Sequence, residues 1–330
     1  MQSFRRFFST VPARLHENPL GLPRSGSRPP PTIPRRSSGS PGKGSIAHVK
    51  KIVAVASGKG GVGKSTVAVN LAFSLAMRRD PETSFRPRIG ILDLDIYGPS
   101  VPKLMGLESS PEPDHTPSGA LIPLTNHSIS CMSIGFLLPR SPKSHDGSSA
   151  DTPVVWRGLM VQKAVQQLLF DVDWRGGEEG GEGIDVLIID MPPGTGDVQL
   201  TLAQLVNVDG AVIVSTPQDV ALLDVRRSIA MFRKVDVPIT GTVLNQSSYT
   251  CPSCSTPHYI YGPPTSFNNT CEALGVEVLG DLPIVGGVSA RGDFGVPYVL
   301  APTAEDGENG IRWKETMEGI AEKVWGKLWA

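Results

Sequence analysis

The chain has 330 residues, 39% of them apolar, with a net charge of −1, so it can bury a substantial core in one large domain or two small ones and carries no global attraction for nucleic acid. No uninterrupted apolar run approaches the roughly 20 residues that a membrane-crossing helix needs, which excludes a helical transmembrane protein and leaves membrane contact at most peripheral.

The first segment differs from the rest. Arg5, Arg6, Arg14, Arg24, Arg28, Arg35 and Arg36 stand among serines and prolines, opposed only by Glu17. Phe4, Phe7, Phe8, Val11 and Leu15 can form the apolar side of a short basic helix, and prolines then keep the tail extended through Pro34. Residues 1–45 are therefore expected to be a removable address for the mitochondrial matrix, the alternative being a disordered basic tail with no address. Residues 46–330 are expected to form one domain.

The first core strand begins near Lys50, with Ile52-Val53-Ala54-Val55 as its buried pattern. Gly58-Lys59-Gly60-Gly61-Val62-Gly63-Lys64-Ser65-Thr66 follows and opens a helix marked by Val67, Ala68, Leu71, Ala72, Leu75 and Ala76. Strand, glycine-rich loop and helix in that order make a phosphate-binding loop, whose backbone amides wrap a phosphate chain at the helix N-terminus. Lys64 is expected to neutralise the β- and γ-phosphates of a nucleotide, and the Ser65 hydroxyl to hold Mg²⁺. Lys59 is an addition that an ordinary phosphate loop does not need. It sits on the opposite limb, so it is expected to reach the nucleotide of a second copy, which implies a homodimer.

Nearly continuous apolar runs follow at 89–93, 186–190, 211–214 and 240–244, with 276–279 nearer an edge. Helical patterns at 159–170, 199–205 and 221–235 separate several of them. Buried strands alternating with helices predict a doubly wound α/β fold with a mostly parallel sheet, whose ligands gather beyond the carboxyl ends of the strands. Asp93, Asp190 and Asn245 emerge at that end. Asp190 closes an apolar strand within reach of the metal beside Ser65, and the glycine-rich turn Met191 to Asp197 can respond to loss of a γ-phosphate. The pair Asp93 and Asp95 is by itself a weak signal. Stretches 108–119, 139–153, 175–183 and the tripeptide Arg291-Gly292-Asp293 read as loops. Near the C-terminus Trp313, Met317, Ile320, Val324 and Leu328 repeat at helical spacing, a core-packing stripe or a membrane-facing one.

Four cysteines are too few for a disulfide scaffold in a chain this long, and Cys131 reads as a buried core residue. Cys251-Pro252-Ser253-Cys254 brings two thiols within reach of one metal centre. A [4Fe–4S] cluster takes four cysteines, so one pair from each of two chains meets the count and implies a dimer a second time. Cys251, Cys254, His258 and Cys271 can instead supply a structural zinc site within one chain. A redox-active pair lacks the expected βαβ surroundings. Spacing alone leaves zinc and iron–sulfur open.

The motifs GKGGVGKST, DLDIYGPS, MPPGTGD and CPSC occur in this order, and in that combination the chain resembles the Mrp-type P-loop ATPases over about 46–302. These belong to the deviant Walker A group, with the MinD and ParA proteins and the nitrogenase iron protein. The arginine-rich leader makes it most similar to the mitochondrial branch, linked to iron–sulfur assembly of respiratory complex I. The resemblance implies an ATP-binding carrier that delivers [4Fe–4S] clusters to apoproteins, with ATP hydrolysis coupled to transfer. It implies Lys59 as the lysine that crosses the dimer, Asp190 as the Walker B acid and Asp95 as the group that orients the attacking water. Asp93 then shapes the metal shell and Asn245 recognises adenine, although a turn cap is an equal reading of Asn245. Two departures from the family pattern are Leu159 after Trp156-Arg157-Gly158 and the stretch Leu244-Asn245-Gln246-Ser247. The competing function is a MinD- or ParA-like spatial regulator with a structural zinc site, in which the cysteine pair has no evident role in the regulator's cycle.

Overall fold

The computed structural model describes residues 43–79, 84–137, 158–177, 180–302 and 306–330. The expected leader up to residue 42, the stretch 139–153 and Trp156-Arg157 lie outside the described residues, whereas the departing Leu159 falls at the start of a helix. In chain order the elements are β1 (Val49–Ser57), α1 (Lys64–Met77), β2 (Ile89–Asp93), α2 (Val101–Leu104), β3 (Leu124–Asn126), β4 (Ile129–Ser133), α3 (Gly158–Phe170) and β5 (Ile184–Asp190). There follow α4 (Asp197–Leu205), β6 (Gly210–Ser215), α5 (Asp219–Lys234), β7 (Ile239–Thr250), β8 (Pro257–His258), α6 (Thr265–Ala273), β9 (Val278–Ile284), α7 (Gly286–Asp293) and α8 (Gly307–Leu328).

The strands join one sheet in the order β3-β4-β2-β5-β1-β6-β7-β8, with β9 also paired to β7. Seven of the nine strands run parallel, and only β3 on β4 and β8 on β7 are antiparallel. Every residue of β2, β5 and β6 is buried, which requires helices on both sheet faces and accounts for the continuous apolar runs in the sequence. Helices α1 and α8 pack on each other, α1 over β1, β2 and β5 and α8 over β9, while α5 packs on β6 and β7 and α3 packs on α4. This is the doubly wound α/β fold expected.

The chain enters the domain slightly earlier than the composition suggests. Gly44 donates its N–H to Leu205 O at 2.7 Å and accepts from Asn207 N, and Ile46 is already core. Two small strand pairs were not read from the sequence. Strands β3 and β8 are three and two residues long, too short for an alternation to register. The β9 strand starts at Val278 rather than at Val276 and continues through Pro283, a residue tolerated because β9 lies at the sheet edge. Residues Arg291 to Asp293 are not a loop but the last turn of α7.

Among the C-terminal stripe, Trp313, Met317, Ile320, Val324 and Leu328 are all buried. Five large apolar side chains at about 1.5–3 kcal/mol each make removal of α8 from the core too costly for a membrane-facing role. Among the described residues no helix is long and apolar enough to cross a membrane.

Candidate functional site

The site forms where β1, β5 and β2 end side by side. In the register, Val55 is level with Asp190 and Asp190 is level with Asp93, so two carboxylates converge beside the start of the phosphate loop. Gly58 to Gly63 turn over this edge and α1 begins at Lys64. Gly61 and Gly63 have φ of 80° and 79°, a left-handed conformation that favours glycine. Gly63 is required a second time, because a Cβ there would stand 2.3 Å from Asn245 Nδ2.

Lys64 is buried and its Nζ lies 2.5 Å from Asp190 Oδ1 and 3.2 Å from Ser65 Oγ. Burial raises the Asp190 carboxyl while the Lys64 ammonium opposes the rise. Asp190 Oδ2 is buried and lacks a hydrogen-bond partner. Asp93 receives three hydrogen bonds, from Asp95 N at 3.0 Å, Val101 N at 3.3 Å and Ser133 Oγ at 3.0 Å. Its carboxyl is pushed up to about 7, first by burial and then by the neighbouring Asp190 charge. Asp95 is only partly buried and is raised in the same direction, again chiefly by burial. Ser133 escaped sequence reading because it ends β4, whose only noted residue was Cys131; that cysteine is fully buried, as expected.

A cavity of about 440 Å³ opens over these groups, lined by Lys59, Gly60, Gly61, Gly63, Lys64, Ser65, Thr66 and Asp95 on one side. Pro193 and the charged side chains Lys103, Glu108 and Asp293 are among the residues that line its other walls, and Lys103 pairs with Asp293 at 3.2 Å. None of these three charged residues was read from the sequence as a site residue, since single charges on α2, α7 and the loop after α2 carry no pattern. Lys59 reaches the cavity rim, where its Nζ donates to Gln218 Oε1 at 2.5 Å. Asn245 lies within β7 and donates through Nδ2 to Val62 O at 2.8 Å, bracing the phosphate loop from behind rather than capping a turn. With Gly63, Thr66, Pro283, Val285 and Trp313 it lines an adjoining cavity of about 200 Å³.

The cysteine pair occupies the tip of the β7–β8 hairpin at the other end of the sheet order from β3. Tyr249 pairs with His258 and Thr250 with Pro257, and Cys251 closes the turn by donating its N–H to Thr256 O at 3.0 Å. Cys251 is partly exposed and Cys254 exposed. The Thr256 hydroxyl, 3.3 Å from Cys254 Sγ, holds that thiol below its ordinary range, toward the thiolate that binds metal. Cys271 is elsewhere, buried on α6 against Thr242 Oγ1 at 3.3 Å, and burial raises its thiol. Among the described residues no three His, Cys, Asp or Glu side chains gather as a metal set, so the single-chain zinc site drawn from Cys251, Cys254, His258 and Cys271 is not assembled.

A phosphate loop leaving the central strand of this sheet, with an acid at the end of the next strand, defines a P-loop NTPase. Residues 48–325 match the family described as ParA, NUBPL iron-transfer P-loop NTPase, and the chain belongs to that family. It is 44% identical over 270 residues to the iron-sulfur cluster transfer protein NUBPL of Mus musculus, covering 82% of this chain and 77% of that protein. An Arabidopsis thaliana protein named iron-sulfur protein required for NADH dehydrogenase, mitochondrial, is 44% identical over 77% of this chain and 72% of its own length. Among solved structures, the nucleotide-binding protein of Archaeoglobus fulgidus in complex with ADP superposes with a TM-score of 0.61 at 32% identity, over 78% of this chain and 91% of that one. The cell division ATPase MinD of Pyrococcus furiosus shares the fold, with a TM-score of 0.53 at 17% identity over 84% and 98%.

Proposed function

We propose that the chain is an ATP-hydrolysing carrier that receives an iron–sulfur cluster on Cys251 and Cys254 and passes it to apoproteins. The observation that carries this reading is the presence on one sheet of two chemically separate sites. The buried Lys64–Asp190 pair lies under a cavity of about 440 Å³, and an exposed cysteine hairpin with one acidified thiol stands at the sheet edge. The names of the Mus musculus and Arabidopsis thaliana relatives support it.

In this reading the amides of Gly58 to Gly63 and the Lys64 ammonium bind the ATP phosphates, and Thr66 and Asn245 face the adjoining cavity that takes the base. The orphaned Asp190 Oδ2 fits a cation, so Asp190 and Ser65 would hold Mg²⁺, which neutralises the phosphate charge. Asp93 supports that shell from behind through its three hydrogen bonds, and Asp95, at the cavity wall, orients the attacking water. Lys59 acts on the nucleotide of a second copy, and pairing of two chains supplies the four thiolates of a [4Fe–4S] cargo that one hairpin cannot supply. An exposed hairpin suits a cargo that must be released.

The recipients proposed include subunits of respiratory complex I, by analogy with the Arabidopsis thaliana relative, and the proposed location is the mitochondrial matrix, addressed by the basic leader. Anaerobic reconstitution followed by iron, sulfide and zinc analysis tests the central claim. Roughly four irons and four sulfides per two chains are expected. Stoichiometric zinc without iron overturns it. A reporter fused to residues 1–45 that stays in the cytosol overturns the address.

A further inference from the structure

The loop that leaves Asp190 is fastened to the helix that follows it by one side chain. Gln199, the third residue of α4, is 1% exposed. Its Nε2 donates to Pro192 O at 2.7 Å and to Gly194 O at 3.0 Å. Two carbonyls facing the same group fix the orientation of the amide, because turning it over would set oxygen against oxygen. Oε1 is left buried with no hydrogen-bond partner. A desolvated acceptor without a partner costs stability that an apolar side chain of the same length would not, so packing does not account for glutamine here.

What the two donated bonds secure is the shape of the loop 192–196. Its other side is tied to the end of β1, immediately before the phosphate loop, since Gly194 donates its N–H to Ser57 O at 2.8 Å. Gly194 has a φ of 91°, so this turn is set by backbone geometry that few residues adopt. Pro193 lines the nucleotide cavity. Gln199 lines a neighbouring cavity of about 430 Å³ whose wall shares Asp95 and Pro193 with the first.

We propose that Gln199 is a positioning residue for hydrolysis. Its carboxamide clamps the carbonyls of Pro192 and Gly194, and the clamped loop presents Pro193 and Gly194 to the phosphate loop opposite Asp95. The inference rests on the ATPase reading given above and adds the part of the chain that ties turnover to the loop after Asp190. Without the clamp, Lys64, Ser65 and the amides of the phosphate loop keep their places, so ATP still binds and only the reacting arrangement is lost.

The test compares the full-length chain with two near-isosteric variants, Gln199→Met and Gln199→Glu, measuring kcat, KM for ATP and the thermal midpoint. For loss of two ordinary hydrogen bonds, kcat is expected to fall about tenfold in both, with KM within about threefold. The midpoint is expected to move by no more than about 4 °C, because Met removes the orphaned acceptor as well as the donors. Relative to the unaltered chain, the Glu variant regains part of its kcat as the pH falls below the pKa of its carboxyl, which burial against two carbonyl oxygens raises above the ordinary value of about 4.3, because the protonated carboxyl recovers one O–H donor. The Met variant shows no such recovery. A packing role gives no pH-dependent rescue. Unchanged kcat in both variants overturns the inference, as do parallel losses of kcat, ATP affinity and thermal midpoint. Absence of ATP turnover in the unaltered chain is a different result: it overturns the ATPase reading itself and the inference with it.

Discussion

Lys64 and Asp190 form a buried ion pair, Nζ to Oδ1 2.5 Å, with 6% and 0% of their side chains exposed. A pair this deep is a poor source of net stability but a costly one to halve, since the remaining charge stays in the interior. Lys64→Ala leaves Asp190 uncompensated next to Asp93. The expected result is a loss of about 3 kcal/mol in stability together with a collapse of nucleotide affinity. Calorimetric titration with an ATP analogue, run beside chemical denaturation, checks both. Restored stability in Lys64→Ala, Asp190→Asn with affinity still lost would separate the two roles of the lysine.

Lys59 is held by a neutral partner, Gln218, at the cavity rim rather than by a buried acid. Its removal therefore leaves no stranded charge. Lys59→Ala is expected to change stability by less than about 1 kcal/mol, to retain most ATP binding and to lose the step that requires two copies. Nucleotide titration and analytical ultracentrifugation with ATP are the measurements. An equal loss of affinity in Lys59→Ala and Lys64→Ala at matched stability would assign Lys59 to its own chain's nucleotide.

The thiols at 251 and 254 share no contact with the phosphate loop. Cys251→Ala or Cys254→Ala is expected to abolish stable cluster assembly and to leave ATP affinity within about twofold, a change below about 0.5 kcal/mol. Absorption and Mössbauer spectra of the reconstituted variants decide the matter. Unchanged cluster content in the double variant would remove the hairpin from the cargo site.

Asp93 gives a pH dependence of definite sign. Its folded pKa of about 7 lies above the ordinary 3.8, so between these values the folded chain binds more protons than the unfolded one. Its contribution is greatest below the unfolded value and is lost as pH rises through about 7, at no more than about 1.4 kcal/mol per pH unit. In magnesium-free buffer, denaturation at several pH values from 5 to 8 should show a fall in stability that is shallower in Asp93→Asn. Identical slopes in the two proteins would mean that Asp93 is ionised throughout.

Gly58 has no left-handed φ, so its requirement is space alone. A Cβ there would lie 2.2 Å from Asp224 Cβ and 2.7 Å from the Asp224 carbonyl carbon on α5. Gly58→Ala must push α5 from the phosphate loop and is expected to cost about 1–3 kcal/mol and weaken ATP binding. Gly60→Ala, where a Cβ would meet nothing within 4 Å, is the matched control. Equal stability of the two variants would show that α5 yields freely.

The sequence by itself determined the fold class and the place of the phosphate loop. Its signals are local: a buried strand, a glycine run, a helix, and acids at the ends of apolar segments, each legible within a dozen residues. It also set Cys251 and Cys254 near each other, because only three peptide bonds separate them. Whether Cys271 and His258 join them was decided only by tertiary structure. Cys271 sits on α6 with its thiol turned to Thr242, and no spacing rule carries that direction. The same holds for Asn245, whose amide reaches Val62 across 183 residues, and for Gln199 and Gln218, neutral side chains with no motif of their own. Sheet order brings β1, β5, β6 and β7 side by side, and only that ordering turns distant polar residues into partners of one loop.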